Sequence, residues 1–383
     1  MPESRSDSKR RPPLHFAGGD LLALDLPELE ERLLALGQPA YRARQVFGWL
    51  HARGVFRPAD MLNLPREVRA ALEPMSSPFP LTLEESVQAA DGTEKLRFRL
   101  GDGGVVESVL IPEDKRLTLC VSTQLGCGMG CTFCRTGRMG LQRNLTPEEI
   151  LAQVYAVRGA PGRDREVSHL VLMGMGEPLD NLENSLRALR ILTHPLGANL
   201  STRKVTVSTV GIPEALERLV REVPVSITLS LNAPDSGIRS ELMPINRRYP
   251  VEEVLALLRR LPLPPRRRTT MAYVMVKGVN DRPRDARELT RLLHGVRCKI
   301  NLVPLNPFPG LDLERPEDSR VLEFQALLRA RGLSTHVRFS RGTDILAACG
   351  QLAAAPSPPV PGGQEGPGPA RSRSPRAVAG RMP

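Results

Sequence analysis

The sequence predicts an α/β fold: a partial (βα)6 barrel with an N-terminal helical domain and a small β extension. Three observations predict it. Six apolar, β-branched runs recur between residues 117 and 305, helical patterns lie between most of them, and glycine-rich or polar segments follow the strands. Strands alternating with helices form βα units around a parallel sheet. Six units are too few for an eight-fold barrel and enough for a partial one.

The 383 residues, 41% of them hydrophobic, suffice for one large domain with an appendage or for two ordinary domains. Residues 1–17 and 355–383 are dominated by Pro, Gly, Ser and Arg, without an aliphatic cluster, and are expected to be disordered tails. Residues 18–75 form a helical accessory unit. DLPELEERLLALG, PAYRARQVFGWLHARG and LPREVRAALEPM each space apolar residues as a helix does, and the first two end on Gly37 and Gly54. Arg42, Arg44 and Arg53 surround Trp49, which is expected to be buried beneath a solvated basic face. In the extension, residues 76–112, EKLRFRL and GVVESVLIP flank the turn GDGG as a hairpin.

The barrel domain is expected over residues 113–345. Its strands are LTLCVST (117–123), HLVLMGM (169–175), KVTVSTV (204–210), VSITLSL (225–231), TTMAYVMV (269–276) and KINLVPL (299–305). Thr146 and Glu149 have the spacing of a helix capping box. Active sites of such folds gather where the strands end. Past the six ends lie Cys127, Cys131 and Cys134; GMGEP (174–178); Ser208, Thr209 and Gly211; Ser230 and Asn232; GVND (278–281); and Asn306.

The net charge of +11 favours a polyanionic partner. The two tails supply five of these charges, so the folded part is basic without being extreme. The N-terminus lacks the apolar core of a secretory signal, and no apolar run reaches the roughly 18 residues of a membrane span. A cytoplasmic protein without membrane contact is expected, in which six cysteines argue for metal or thiol chemistry.

Three of those thiols stand in QLGCGMGCTFCRTG as C-x3-C-x2-C, with glycines at 126, 128 and 130 letting the backbone wrap. Thiolates suit zinc or an iron–sulfur cluster. Zinc needs a fourth ligand, and neither Cys120 nor Cys298 gives a familiar zinc spacing. A 4Fe–4S cluster held by three cysteines keeps one iron open.

C-x3-C-x2-C followed by Arg135, Thr136 and Gly137, after the first strand of a βα series, resembles the radical S-adenosylmethionine (SAM) superfamily. TLCVSTQLGCGMGCTFCRTG, VLMGMGEPLDN, VTVSTVG, SLNAP, MPINRRYP, INLVPLNPFPG and RGTDILAACGQLA together resemble the RlmN family of RNA adenine-C2 methyltransferases, over roughly residues 20–353. Its close relative, the Cfr family, methylates adenine C8. The resemblance implies a radical SAM barrel whose 4Fe–4S cluster is held by Cys127, Cys131 and Cys134, with SAM on the open iron. It implies two SAM molecules per turnover, because adenine C2 is too electron-poor to attack a methyl group. One methylates Cys349, in the C-terminal segment 346–354. The other yields a radical that activates the S-methyl group for addition to the base. Cys120 then resolves the adduct through a transient disulfide with Cys349, and Glu107 accepts the C2 proton.

The same resemblance assigns SAM contacts to Gly176, Glu177, Ser208, Ser230, Leu231, Asn232 and Asn306. It implies 23S rRNA and tRNA as substrates, flavodoxin or ferredoxin as electron donor, and a monomer. Asn232 stands where the family commonly has His, and Arg135 where Ser is usual. Arg42, Arg44, Arg247–Arg248 and Arg266–Arg268 are candidate phosphate contacts, and Cys298 is expected to be a core cysteine. A zinc-stabilised RNA-binding protein without catalysis is the alternative from another class.

Overall fold

The computed structural model describes residues 20–158, 166–264 and 267–354. The expected tails and Arg266 lie outside the described residues.

Ten strands form one sheet: β1 (Leu81–Gln88), β2 (Glu94–Leu100), β3 (Val105–Glu113), β4 (Arg116–Val121), β7 (His169–Leu172), β8 (Val205–Thr209), β9 (Ser226–Ser230), β10 (Thr269–Met275), β11 (Cys298–Pro304) and β12 (Thr335–Val337), in that spatial order. β5 (Gln124–Cys127) and β6 (Gly140–Asn144) pair separately as a small hairpin. From β4 through β11 the six expected strands run parallel. Their apolar runs are buried, as sheets covered by crossover helices require. The helices Pro147–Arg158, Leu182–Thr193, Pro213–Glu222, Val251–Arg260 and Pro283–Leu292 follow successive strands. The first starts with the expected cap: Thr146 N donates to Glu149 Oε2 (2.9 Å) and Glu149 N donates to Thr146 Oγ1 (3.4 Å).

Three features differ from the sequence reading. β12 adds a seventh parallel strand beside β11. The extension has three antiparallel strands instead of two, and β3 pairs with β4, so it continues the barrel sheet. β3 buries Val106, Glu107, Ser108, Val109 and Leu110 in succession, on both its faces, which an isolated hairpin cannot do. β1 is a charged, largely exposed edge with an irregularity at Leu83–Glu85, features that discourage edge-to-edge pairing. Trp49 is the third difference. It is half-buried, its indole N–H donating to Asn63 and its ring under the Arg53 guanidinium at 4.2 Å.

The N-terminal helices Leu26–Ala35, Tyr41–Phe47 and Arg66–Leu72 pack around Leu29, Leu33, Val46, Phe47, Val68 and Leu72. This unit joins the barrel through buried His51, whose Nδ1 lies 2.8 Å from the Tyr155 hydroxyl. Burial of that imidazole pushes its pKa down to about 3. Among the described residues no helix is long and apolar enough to cross a membrane.

The β5–β6 hairpin presents Cys127, and Gly126 makes it possible. Its φ is +78°, and a Cβ there would stand 1.9 Å from the Gly140 carbonyl oxygen. Gly126→Ala is therefore predicted to cost more than the roughly 1–3 kcal/mol of a strained left-handed residue. Thermal melting measures the loss; an unchanged melting temperature would contradict this account.

Candidate functional site

The loops beyond β4 and β7 are stitched together at the C-terminal end of the sheet. Thr123 N and Gln124 N both donate to Met175 O (2.8 and 3.2 Å), Met175 N donates to Ser122 Oγ (2.8 Å), and Glu177 N donates to Gln124 Oε1 (2.8 Å). Such contact needs glycine: a Cβ on Gly176 would meet Gln124 Cβ at 2.6 Å. The Glu177 carboxylate, buried at this crossing, accepts from Leu179 N (3.1 Å) and Val210 N (3.0 Å). Burial pushes its pKa up to about 7, against these hydrogen bonds and one with Thr209.

Cys127 and Cys131 are buried and Cys134 half-buried. All three face one apolar shell containing Val210, Leu242, Met243, Val276 and Leu305. Thr132 N donates to Leu242 O (3.0 Å), and Cys134 N to Cys131 O (3.1 Å), which fixes the loop. Burial raises each thiol, and the Cys134 and Cys127 sulfurs raise Cys131 further. Dry, soft donors gathered on one loop fit an iron–sulfur cluster. Among the described residues no three His, Cys, Asp or Glu converge as ligands of a single metal ion.

Residues 349–353 cross this mouth as a strap. Asn306 Nδ2 donates to Cys349 O (2.9 Å), Arg135 N to Gly350 O (2.7 Å), Gln351 Nε2 to Pro307 O (2.7 Å), and Thr136 Oγ1 to Leu352 O (2.5 Å). Ala353 N donates to Glu107 Oε2 (2.9 Å). Cys349 is exposed and near Cys134, whose charge adds to the rise that the surrounding protein imposes on its thiol. Cys120, buried on β4, has its thiol raised by burial and then by Cys349. The two thiols named by the resemblance are therefore near enough for the Cys349 charge to act on Cys120, close to the cysteine loop.

The departures from the family pattern have local explanations. Arg135 docks the strap through its backbone N–H, which any side chain supplies. Asn232 adopts φ +60°, a region Asn tolerates, and its Oδ1 accepts from Val274 N (2.9 Å) while Nδ2 faces Met243 Sδ (3.0 Å). Its amide thus ties the end of β9 to β10. Leu231 is fully buried and Ser208 and Ser230 half-buried at the strand ends. Cys298 is half-buried at the start of β11, at the opposite end, with its thiol pushed up to about 11 by burial.

Two buried cations escape sequence reasoning. Arg239 is fully buried and donates to Leu231 O (3.0 Å), Val210 O (3.0 Å), Ser230 O (3.1 Å) and Asn246 Oδ1 (2.5 Å). It clamps the ends of β8 and β9; the polar run MPINRRYP, which holds Asn246, was the available signal. Lys95 on β2 is also buried, its Nζ 3.5 Å from Glu107 Oε1. Burial lowers the Lys95 ammonium, and Glu107 offsets part of that. Glu107 is thus an interior carboxylate, with nothing of the exposed hairpin residue about it.

The sequence model described as the radical SAM superfamily matches residues 121–290, and that of the ribosomal RNA large subunit methyltransferase N-terminal domain matches residues 19–77. The dual-specificity RNA methyltransferase RlmN of Syntrophobacter fumaroxidans is 47% identical over 329 residues, 86% of this chain and 96% of its own. The chain belongs to the RlmN family. The RlmN of Anaeromyxobacter dehalogenans is 45% identical over 373 residues, 96% of this chain and 98% of its own. A crystal structure of a radical SAM methyltransferase from Sphaerobacter thermophilus superposes with a TM-score of 0.82 at 47% identity, covering 88% of this chain and all of that one. The fold is therefore the radical SAM barrel, and the superfamily's cofactors, a 4Fe–4S cluster and SAM, are those the thiol loop fits.

Removing one partner of a buried ion pair strands the other charge. Lys95→Met is predicted to destabilise the protein by about 3–5 kcal/mol, and Lys95→Met combined with Glu107→Gln to recover much of that loss. Denaturant unfolding of these two variants and of Glu107→Gln alone checks it; an additive double variant would refute the coupling.

Proposed function

We propose that the chain methylates C2 of an adenosine in 23S rRNA, and of the adenosine 3′ of the anticodon in tRNAs, through an S-methylcysteine at Cys349. The observation that carries this is the strap, which brings Cys349 to the thiol loop and within electrostatic reach of Cys120. A cluster held by Cys127, Cys131 and Cys134 supplies, when bound, the electron that generates the hydrogen-abstracting radical from SAM.

The chain's own residues do the rest. Cys349, exposed at the mouth, first accepts a methyl group by displacement, and its methylene carbon later bonds to the base. Glu107, buried with Lys95 Nζ 3.5 Å from its Oε1, takes the C2 proton. Cys120 then attacks the Cys349 sulfur. An S–S bond forms as the carbon–sulfur bond breaks, the electron pair of that bond passes to the methylene carbon, and a proton delivered there completes the methyl group on the released base. Gly176, Ser208, Ser230, Leu231, Asn232 and Asn306, at or just beyond the strand ends, would contact SAM, and Glu177 would accept from its ammonium. The target adenine must leave its stack to reach so recessed a site, so a loop nucleotide is the substrate. A cytoplasmic monomer supplied with electrons by flavodoxin or ferredoxin completes the reading.

Nucleoside mass spectrometry after anaerobic incubation with SAM, reductant and unmodified rRNA and tRNA tests it. The expected product is 2-methyladenosine, abolished by Cys349→Ala, with Cys120→Ala leaving protein covalently joined to RNA. 8-Methyladenosine would move the chain to the C8-directed reaction.

Glu177 adds a pH test. A carboxyl with a pKa of about 7 is half protonated at neutral pH and binds an ammonium only when ionised. SAM affinity of the cluster-loaded protein should therefore rise about tenfold between roughly pH 6 and pH 8. Titration calorimetry should find that rise missing in Glu177→Gln, and a wild type with the same flat profile would remove Glu177 from the site.

A further inference from the structure

The described members of the Arg266–Arg268 run, Arg267 and Arg268, lie far from the thiol mouth. They precede β10 at the end of the sheet where the parallel strands begin, roughly 20 Å of strand away from the cysteine loop. With Arg203, just before β8, they line a cavity of about 450 Å³, and none of the described residues lining it is acidic. Arg267 is held in place, donating to Thr202 Oγ1 (3.2 Å) and to Pro224 O. Arg203 and Arg268 are exposed and have no carboxylate partner among the described residues.

A second observation points to a ligand. Thr269 also lines the cavity, is 2% exposed, and its Oγ1 has no hydrogen-bond partner among the described residues. Buried hydroxyls are ordinarily satisfied. This one sits beside three guanidiniums that can only donate. An acceptor carrying negative charge would satisfy all four groups, and phosphate oxygens match guanidinium geometry. Burial, and then the Arg203 charge, lowers the Arg267 guanidinium, so a phosphate entering the cavity would relieve both penalties.

The position selects the source of the phosphate. Thr202 and Pro224, which anchor Arg267, also line the crevice against Leu26, Pro27 and Glu30 of the N-terminal unit. The cavity therefore adjoins the region that matches the N-terminal domain of ribosomal RNA methyltransferases. We propose that this basic cavity, at the end of the barrel opposite the thiols, is a second RNA site that holds a backbone phosphate and anchors the substrate at a distance from the reacting base. The inference rests on the RNA-methyltransferase reading above and adds a contact which positions without reading sequence.

The test is RNA binding measured against salt concentration, with fluorescently labelled tRNA and an rRNA fragment. Arg203→Ala/Arg268→Ala should make the slope of log K against log salt shallower by about 1 and weaken binding roughly tenfold near physiological salt. Arg203→Lys/Arg268→Lys should keep most of the slope, since a point charge still neutralises a phosphate. The two side chains hold no other residue in place, so melting temperatures should stay constant and exclude misfolding as the cause. Unchanged slope and affinity in the alanine variant, while wild type binds and methylates the same RNA, would overturn the inference. So would stabilisation by inorganic phosphate alone with RNA binding unaffected, which would assign the cavity to a small anion. A wild type that binds no RNA would instead remove the functional reading.

Discussion

The peptide groups of residues 349–353 belong to no strand or helix, and their satisfaction by side chains and loops holds the mouth of the barrel together. Each buried peptide group left unpaired would cost about 1–3 kcal/mol. Four hydrogen bonds prevent this, from the short helix Arg135–Arg138, from Asn306 after β11 and from Glu107 of the extension, and the Gln351 side chain adds a fifth tie by donating to Pro307 O. The strap therefore depends on the barrel and the extension being one sheet. If β3 did not pair with β4, Glu107 would not face Ala353.

That dependence runs through a buried polar layer. Ser122 Oγ donates to Glu107 O (2.6 Å), and Gln153 Oε1 accepts from Ser122 N and Ser108 Oγ (both 2.8 Å). Helix Pro147–Arg158 thus fastens β3 to the segment that leads into the cysteine loop. Arg239 does comparable work between β8 and β9 without contacting a carboxylate. Buried charge with few counter-ions is expensive anywhere and gathers where a fold needs an electrostatic environment for chemistry. Here Lys95, Glu107, Glu177 and Arg239 all sit at or near the end of the sheet that carries the thiols.

What the sequence made legible was local. The six parallel strands carry β-branched runs that announce burial on both faces, and Thr146 and Glu149 sit at the spacing their hydrogen bonds require. The cysteine loop is written within eight residues. β12 is three residues long, and in β1 the period-two Leu81, Leu83 and Val87 are interrupted by the adjacent Glu84 and Glu85 at an exposed edge, so neither offers a sustained apolar period to detect. Lys95 and Arg239 read as ordinary surface cations because their burial is decided by distant segments. The contact between Thr136 and Leu352 joins residues 216 apart. Only the family resemblance brought Cys120 and Cys349 together on paper, and no spacing rule could have.

The exposures of those two thiols are unequal, and the inequality orders the proposed chemistry. Cys349 is exposed, and in the proposed reaction it would meet two partners from outside, a methyl donor and then a base. Cys120 is buried, with its thiol raised by burial, and has no partner to meet until Cys349 carries the adduct. A buried thiol held protonated is a poor nucleophile toward solutes. It is spared competing reactions while the exposed sulfur is loaded, and it needs ionisation only for the last step, within reach of the sulfur it attacks. Strap and strand thereby give two neighbouring thiols unequal exposure, which suits a proposed chemistry whose steps are separated in time.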